Sequence, residues 1–286
     1  MKKAQSIITD GYKYVVDLDL ECFFDTVSHS KLIEVLSRTI NDGRVVSLIQ
    51  GSEEVTPQGS PLSPLLSNVM LKELDKELGR RWLPFVRYAN DSMIFCRSKR
   101  AAERVRESIT NFIEGRLHLK VNKEKTVVSY VRGVKYLGYS FYINKGKCLL
   151  TVHPKTKAKM RRRLKELTGR SNGMGYAKRK KELRLYIKGW VNYYHLATMK
   201  RLTEETDEWL RRRLRMCIWK SWKLPKTRAK NLIKCGINKY NARRWGCVKG
   251  YWRVAGSPIM HMAASNVNLR KAGYTFLYDE YVKWLP

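Results

Sequence analysis

Charge divides this chain into two unlike parts before any secondary structure is assigned. Residues 151–286 carry 34 Lys and Arg against 8 Asp and Glu, whereas residues 1–150 carry 24 against 17. The back part therefore has an excess of +26 and the front part only +7, which sum to the +33 of the whole chain. Unbalanced charge of that size repels itself in a compact fold unless a polyanion neutralises it. Seven of the eight Trp (Trp190, Trp209, Trp219, Trp222, Trp245, Trp252 and Trp284) lie in the same basic part. Cations interleaved with aromatic rings point to nucleic acid as the partner, with an anionic membrane a poor second. A length of 286 residues accommodates about two domains, and 43% hydrophobic residues can supply a core to each.

Six Cys stand at 22, 96, 148, 217, 235 and 247, with no CxxC pair and no His at zinc-finger spacing. Reduced, partly buried thiols are the expectation rather than a zinc site. The N-terminal stretch MKKAQSIITDGYKYVVDL is broken by Thr9, Asp10 and Gly11, which argues against a signal peptide or membrane helix. No later run approaches the ~18 apolar residues a span requires. A soluble protein of a reducing compartment is expected, with no membrane partner.

The front part alternates strand and helix signals. Tyr14–Leu20 is rich in β-formers and alternates around two carboxylates, Asp17 and Asp19. Ser28 is placed to cap a helix over 30–38, and Ser60-Pro61 to start another whose stripe is Leu62, Leu65, Leu66, Val69, Met70 and Leu74. Phe85–Ala89 and Met93–Cys96 form a hairpin pattern around a polar turn, Asn90-Asp91-Ser92. Ser98 opens a third helix, and Thr126–Tyr130 and Val134–Tyr142 read as further strands. This order predicts an α+β sheet with helices packed on one face. Asp19 and Asn90-Asp91 would then sit at adjacent strand ends. Carboxylates on neighbouring strands can hold two hard divalent cations roughly 3.5–4 Å apart, the arrangement used in phosphoryl transfer. Magnesium suits such oxygen donors. Asp19 alone would equally serve as a strand-edge cap.

Three segments in order, Val15–Phe24 (VVDLDLECFF), Thr56–Pro64 (TPQGSPLSP) and Tyr88–Asp91 (YAND), resemble successive motifs of reverse transcriptases. Their flanks, together with Ser67-Asn68, Leu119–Thr126 (LKVNKEKT) and Lys135–Tyr139 (KYLGY), are similar to group II intron-encoded reverse transcriptase/maturases. The resemblance implies catalytic roles for Asp19, Asn90 and Asp91, with Mg²⁺ held in a two-metal site by Asp19, the Leu20 carbonyl and Asp91. It implies that Phe24 crowds a ribose 2′-hydroxyl, that Pro57, Gln58 and Gly59 lie beside the incoming nucleotide, and that Lys125 contacts phosphate. Leu137 and Gly138 would belong to the hairpin that grips the primer end.

Three departures from the family pattern bear on the chemistry. The family turn is Tyr-Ala-Asp-Asp, and here Asn90 replaces its first aspartate. An Asn keeps the shape, loses the charge and turns an NH₂ toward part of the site, so the metal site is expected to be compromised and polymerisation nearly abolished. The template-binding fingers that precede the first strand in relatives are not recognisable, and Ile49–Val55 is shorter than the family segment, which would cost the palm an edge strand.

In the back part, Lys155–Leu167, Lys178–Ala197, Glu204–Trp222 and Lys226–Cys235 read as helices, the last stopped by Gly236. The second carries Leu183, Tyr186, Ile187, Trp190, Val191 and Tyr194 on one face. Ion pairs Asp207–Arg211 and Glu208–Arg212 are expected at i,i+4, and Trp190 and Trp209 are the expected core rings. The RNA-facing candidates are Arg161, Arg162, Arg163, Lys178, Arg179, Lys180, Lys181, Arg211, Arg212, Arg213, Arg215, Arg243 and Arg244, although charge on an amphipathic helix is often only a solvated face. The pattern from GYAKRKKELRLYIKGWVNYYHLA to WLRRRLRMCIWKSWK resembles the thumb and maturase-specific domain of the same family.

The fold expected is therefore a right-hand polymerase palm over residues 1–148 with the fingers absent, followed by a basic α-helical thumb/maturase domain over 149–286. Two functions of different class follow. One is Mg²⁺-dependent, RNA-templated DNA synthesis on an RNA template and DNA primer. The other is binding of group II intron RNA to assist splicing, by a catalytically dead splicing factor or a decayed fragment. The bacterial cytoplasm is the expected location, with an organelle as the alternative.

Overall fold

The computed structural model describes residues 1–21, 28–38, 40, 42–50 and 63–285. Phe24, Pro57, Gln58 and Gly59 lie outside these residues, as do the Ser60-Pro61 helix start, Leu62 and most of the Ile49–Val55 segment. The chain divides into two compact units, Met1–Leu150 and Thr151–Pro286.

In the first unit, helix α1 (Lys2–Thr9) leads into β1 (Tyr14–Leu18). Helices α2 (His29–Ser37), α3 (Gly43–Gln50) and α4 (Ser63–Arg80) precede the hairpin β2 (Phe85–Tyr88) and β3 (Asp91–Cys96), then α5 (Lys99–Arg116) and β4 (Val127–Tyr130). The strands form one antiparallel sheet in the order β2-β3-β1-β4. Helix starts follow local chemistry. The Ser28 hydroxyl accepts from the Lys31 amide, and the Ser98 hydroxyl from the Ala101 amide, each satisfying a donor the helix leaves open.

Val16, Leu18, Leu20, Ile94 and Cys96 point to one side of the sheet. They share a core with Leu32, Val35 and Leu36 of α2, Met70, Leu71, Leu74 and Leu78 of α4, and Ile109 and Ile113 of α5. The buried stripe of α4 is turned from the expected one: Leu65 is 61% exposed, while Leu71 and Leu78 are fully buried. Val15, Met93 and Phe95 point to the other side of the sheet by alternation and are buried too. Both faces are therefore covered, and polar groups reach solvent at the strand ends.

The expected strand Val134–Tyr142 is interrupted. Val131–Gly133 forms a turn of 3₁₀ helix, and Leu137 and Gly138 take φ of +50° and +84° between the bridged pair Tyr136 and Tyr139. Two successive left-handed residues make a tight reversal. The chain then continues as a separate hairpin, β5 (Tyr139–Asn144) with β6 (Lys147–Val152).

The second unit is helical: α6 (Pro154–Leu167), α7 (Tyr176–Tyr194), α8 (Lys200–Ser221) and α9 (Pro225–Lys234) are long, and Gly236 takes φ +87° just after α9. Five short helices follow, α10 (Lys239–Gly246), α11 (Tyr251–Ala255), α12 (Pro258–Ala263), α13 (Asn266–Lys271) and α14 (Leu277–Tyr281). Gly246 lets α10 approach α9 closely, since a Cβ there would stand 2.9 Å from the Pro225 carbonyl oxygen. Trp190 is buried as expected. Trp219 is the fully buried tryptophan of this unit, whereas Trp209 is half-buried between the guanidinium groups of Arg161 and Arg213.

Candidate active site and nucleic-acid interface

Strand register sets the acidic end of the sheet. β1 pairs with β3 so that Leu18, the last residue of β1, faces Ser92, which leaves Asp19 and Asp91 each one residue beyond that last pair. Alternation puts Asp17 on the same face as Asp19. The hairpin turn consists of Ala89-Asn90 alone, because Tyr88 and Asp91 already pair. This corrects the expected turn: Asp91 and Ser92 are the first residues of β3. A two-residue reversal requires left-handed backbone, and Ala89 adopts φ +51°.

Residues 119–126 buttress Asp19. The Asp19 amide donates to Thr126 Oγ1 at 3.2 Å, the Thr126 hydroxyl donates to the Asp19 carbonyl at 3.3 Å, and the Asn122 amide donates to the same carbonyl at 3.0 Å. The Lys125 ammonium stands 3.5 Å from Asp19 Oδ2. Leu20 and Val121 form a bridge whose hydrogen bonds belong to the flanking residues, Glu21 to Lys120 and Asn122 to Asp19. Neither of those two bonds uses the Leu20 carbonyl.

Arg87 fixes the other half of the site. It forks onto Asp75 at 2.8 and 2.5 Å, and its Nη1 donates to Asn68 Oδ1 and to the Ala89 carbonyl, both at 3.0 Å. One guanidinium thus ties α4 to the strained residue of the turn. Arg87→Lys removes the fork and is expected to cost about 2 kcal/mol, with faster amide exchange at Asp91 and Ser92. Unchanged exchange there would show that the turn holds itself.

The carboxylates press on one another. Burial, then the charges of Asp91 and Asp19, push Asp17 up to about 6. Burial and Asp19 also raise Asp91, while Lys135 opposes the shift. Among the described residues, Asn90 Oδ1 is buried without a hydrogen-bond partner. Asp19, Asp91, the Leu20 carbonyl and this orphan oxygen are hard donors of the kind Mg²⁺ takes. They are the groups that would hold such an ion, short of the family's set by the carboxylate that Asn90 lacks, and among the described residues no group of three or more His, Cys, Asp or Glu is placed to hold a metal.

Leu137 and Gly138 are placed at the reversal described above, with Gly138 buried. Asp17, Arg87 and Lys135 were not singled out from sequence. Asp17 was legible as the i−2 neighbour of Asp19 on a strand; Arg87 carried no local signal, and Lys135 entered only as the first residue of the KYLGY segment.

Most of the basic candidates are accessible. Arg161, Arg162, Arg163, Lys178, Lys181, Arg243 and Arg244 are exposed, and Lys180, which donates to the Ala272 carbonyl, is half-buried. Arg179 and Arg215 require correction. They are 6% and 4% exposed, Arg179 donating to the Leu167 carbonyl and Asn172, and Arg215 to the Ala264 carbonyl and Asn266. Arg213 is largely committed too, donating to the Thr168 hydroxyl and to the carbonyls of Lys165 and Thr168. These guanidinium groups satisfy carbonyls at helix ends, where a buried acceptor without a donor is costly. Arg211 lies over Phe276 and Arg212 over Trp252 at 4.2 Å. The expected Asp207–Arg211 pair gives way to a different use of Asp207, whose two carboxylate oxygens accept from the amides of Leu277 and Tyr278 at 2.9 and 2.8 Å. No described helix is long and apolar enough to cross a membrane.

Comparison with known proteins places this geometry. Residues 2–141 match the family described as reverse transcriptase (RNA-dependent DNA polymerase), and residues 157–236 match the group II intron maturase-specific domain. The chain is similar to Protein YkfC of Escherichia coli strain K12, with 30% identity over 176 residues covering 44% of this chain and 46% of that protein. It is similar to the Retron Ec86 reverse transcriptase of Escherichia coli, with 29% identity over 143 residues covering 45% of this chain and 43% of that protein. It is also similar to the Group II intron-encoded protein LtrA of Lactococcus lactis subsp. cremoris, with 22% identity over 214 residues covering 47% and 36%. The chain spans less than half the length of these relatives. The reverse transcriptase family generally uses Mg²⁺.

Proposed function

Since the chain belongs to the group II intron reverse transcriptase/maturase family, we propose that it binds intron RNA and assists its splicing, on a polymerase scaffold whose own chemistry is weak. The observation that carries this reading is Asn90, a neutral residue with an orphan oxygen at the turn beside Asp91. Asp19, Asp91 and the Leu20 carbonyl would hold Mg²⁺, which when bound activates an attacking hydroxyl and stabilises departing phosphate oxygens. Lys125, 3.5 Å from Asp19, would meet a nucleotide phosphate, and the Leu137-Gly138 reversal the primer end. Phe24, Pro57, Gln58 and Gly59 keep the nucleotide-side roles that the family resemblance gives them. Arg87 and Thr126 position the two carboxylates and take no part in bond making.

The second unit supplies the affinity. Its excess of +26 comes from 34 basic against 8 acidic residues over 151–286, and the exposed cations of α6, α7 and α10 would neutralise phosphates. We place the protein in the bacterial cytoplasm, in line with its relatives from Escherichia coli and Lactococcus lactis. A chain this basic binds any RNA at low salt, with affinity falling steeply as salt rises. Maturase function is tested by competition: binding to a group II intron transcript is expected to survive an excess of unrelated RNA at physiological salt. Equal displacement by both RNAs overturns the maturase reading.

A further inference from the structure

The aromatic row on α7 does two jobs. Leu183, Ile187 and Val191 are fully buried, and Trp190 is 8% exposed. Tyr186 and Tyr194, one turn to either side of Trp190, are only half-buried. These three rings, spaced i, i+4 and i+8, share one stripe of the helix. With Thr156, Met160 and the polar side chains of α6 they line a cavity of about 410 Å³. That volume lies in the range of roughly 300–1,000 Å³ that holds a small ligand. Trp190 and Tyr194 stand 4.8 Å apart at 40°, so the wall is an aromatic surface rather than a single ring.

The rim is charged in a particular way. Lys159 and Arg162 are exposed and bring cations to the edge. Arg163 donates to Glu166 at 3.1 Å with both side chains about half exposed, which sets a donor beside an acceptor. An apolar ligand would leave the cations unanswered, and a bare phosphate would leave the rings unanswered.

We infer that this cavity takes one unstacked nucleotide of a single-stranded RNA segment. The base lies against Tyr186, Trp190 and Tyr194, and its phosphate meets Lys159 and Arg162. Unpaired bases are recognised by stacking on aromatic faces and by hydrogen bonds to their exposed edges. Glu166 can accept from the adjacent N1–H and N2–H of guanine together, whereas uracil offers it only the single N3–H. The inference rests on the RNA-binding reading above and narrows it to one site and one RNA form.

The test uses the full chain and a short labelled oligoribonucleotide, as a single strand and as the matching duplex. Tyr186→Ala and Tyr194→Ala are each expected to weaken single-strand binding about tenfold while duplex binding stays within about twofold. Tyr186→Phe, which keeps the ring, is expected to bind like the parent. Variants that bind both RNAs as the parent does overturn the pocket and leave the RNA-binding reading standing. Equal loss of both RNAs also overturns it, because the tyrosines would then be serving the fold or the general surface. A parent chain that binds neither RNA overturns the broader reading, and the pocket with it.

Discussion

With Mg²⁺, an RNA template and an annealed primer, the Asn90→Asp chain is expected to extend the primer at least ~100-fold faster than the natural chain. Loss of a group that only orients a metal ligand typically costs about 10–100-fold, and a carboxylate that itself meets the metal should matter more. The same substitution makes a second prediction that needs no turnover. The orphan Asn90 oxygen is buried, so an aspartate there is an unpaired charge close to a sheet end that already holds Asp17, Asp19 and Asp91. Without divalent cation the variant is expected to melt several degrees below the natural chain, and to recover on addition of Mg²⁺ because ligand binding stabilises the folded state. The natural chain should respond weakly. Equal extension by both chains would falsify the metal-site argument. Silence in both, with the Mg²⁺-dependent rise confined to the variant, would locate the polymerisation defect away from the metal.

The largest stability effect is expected at Asp207. This carboxylate is 1% exposed and accepts from the first two amides of α14, joining α8 to a helix that begins 70 residues later. Asp207→Ala leaves both amides without an acceptor in the interior, at a cost of about 3 kcal/mol. Thermal unfolding of the chain should therefore move down by roughly 10 °C for a unit of this size. Burial also pushes the Asp207 carboxyl up to about 6, outweighing the two amides and Arg211, which act to lower it. The folded state thus holds its proton more tightly than the unfolded chain does. The resulting stabilisation is complete below the ordinary value of 3.8 and fades as the pH rises through about 6. Asp207→Asn keeps one acceptor and cannot titrate, so its stability should be flatter across that window. A pH profile identical to the parent's would assign the slope to other groups, such as Asp17.

Much of the fold could be read locally. Period-two alternation found β1, serine caps found α2 and α5, and the i, i+4 stripe on α7 found its buried face. The short helices α10 to α14 were missed for a physical reason. Each has too few turns to display a periodic stripe, and several start on contacts made elsewhere, as α14 does on Asp207. The expected Asp207–Arg211 pair failed on the same ground: local spacing suggested a surface ion pair, and burial decided otherwise. Arg179 and Arg215 show the converse error, since a run of arginines does not reveal which of them turn inward to meet carbonyl oxygens.

The sequence by itself determined the two-part organisation, the family and the neutral residue at position 90, and it proposed Asp19 and Asp91 as the carboxylates of the site. These are properties of residue types in order, and charge and alternation survive without knowledge of neighbours. Only the tertiary structure decided that Asp17 joins the acidic sheet end, that Arg87 clamps the turn through Asp75, and that Thr126 holds Asp19 from 107 positions away. Only it separated the arginines that face solvent from those that tie helices together. Each of these depends on which atoms burial brings within hydrogen-bond distance, and that is fixed by packing between segments far apart in the chain.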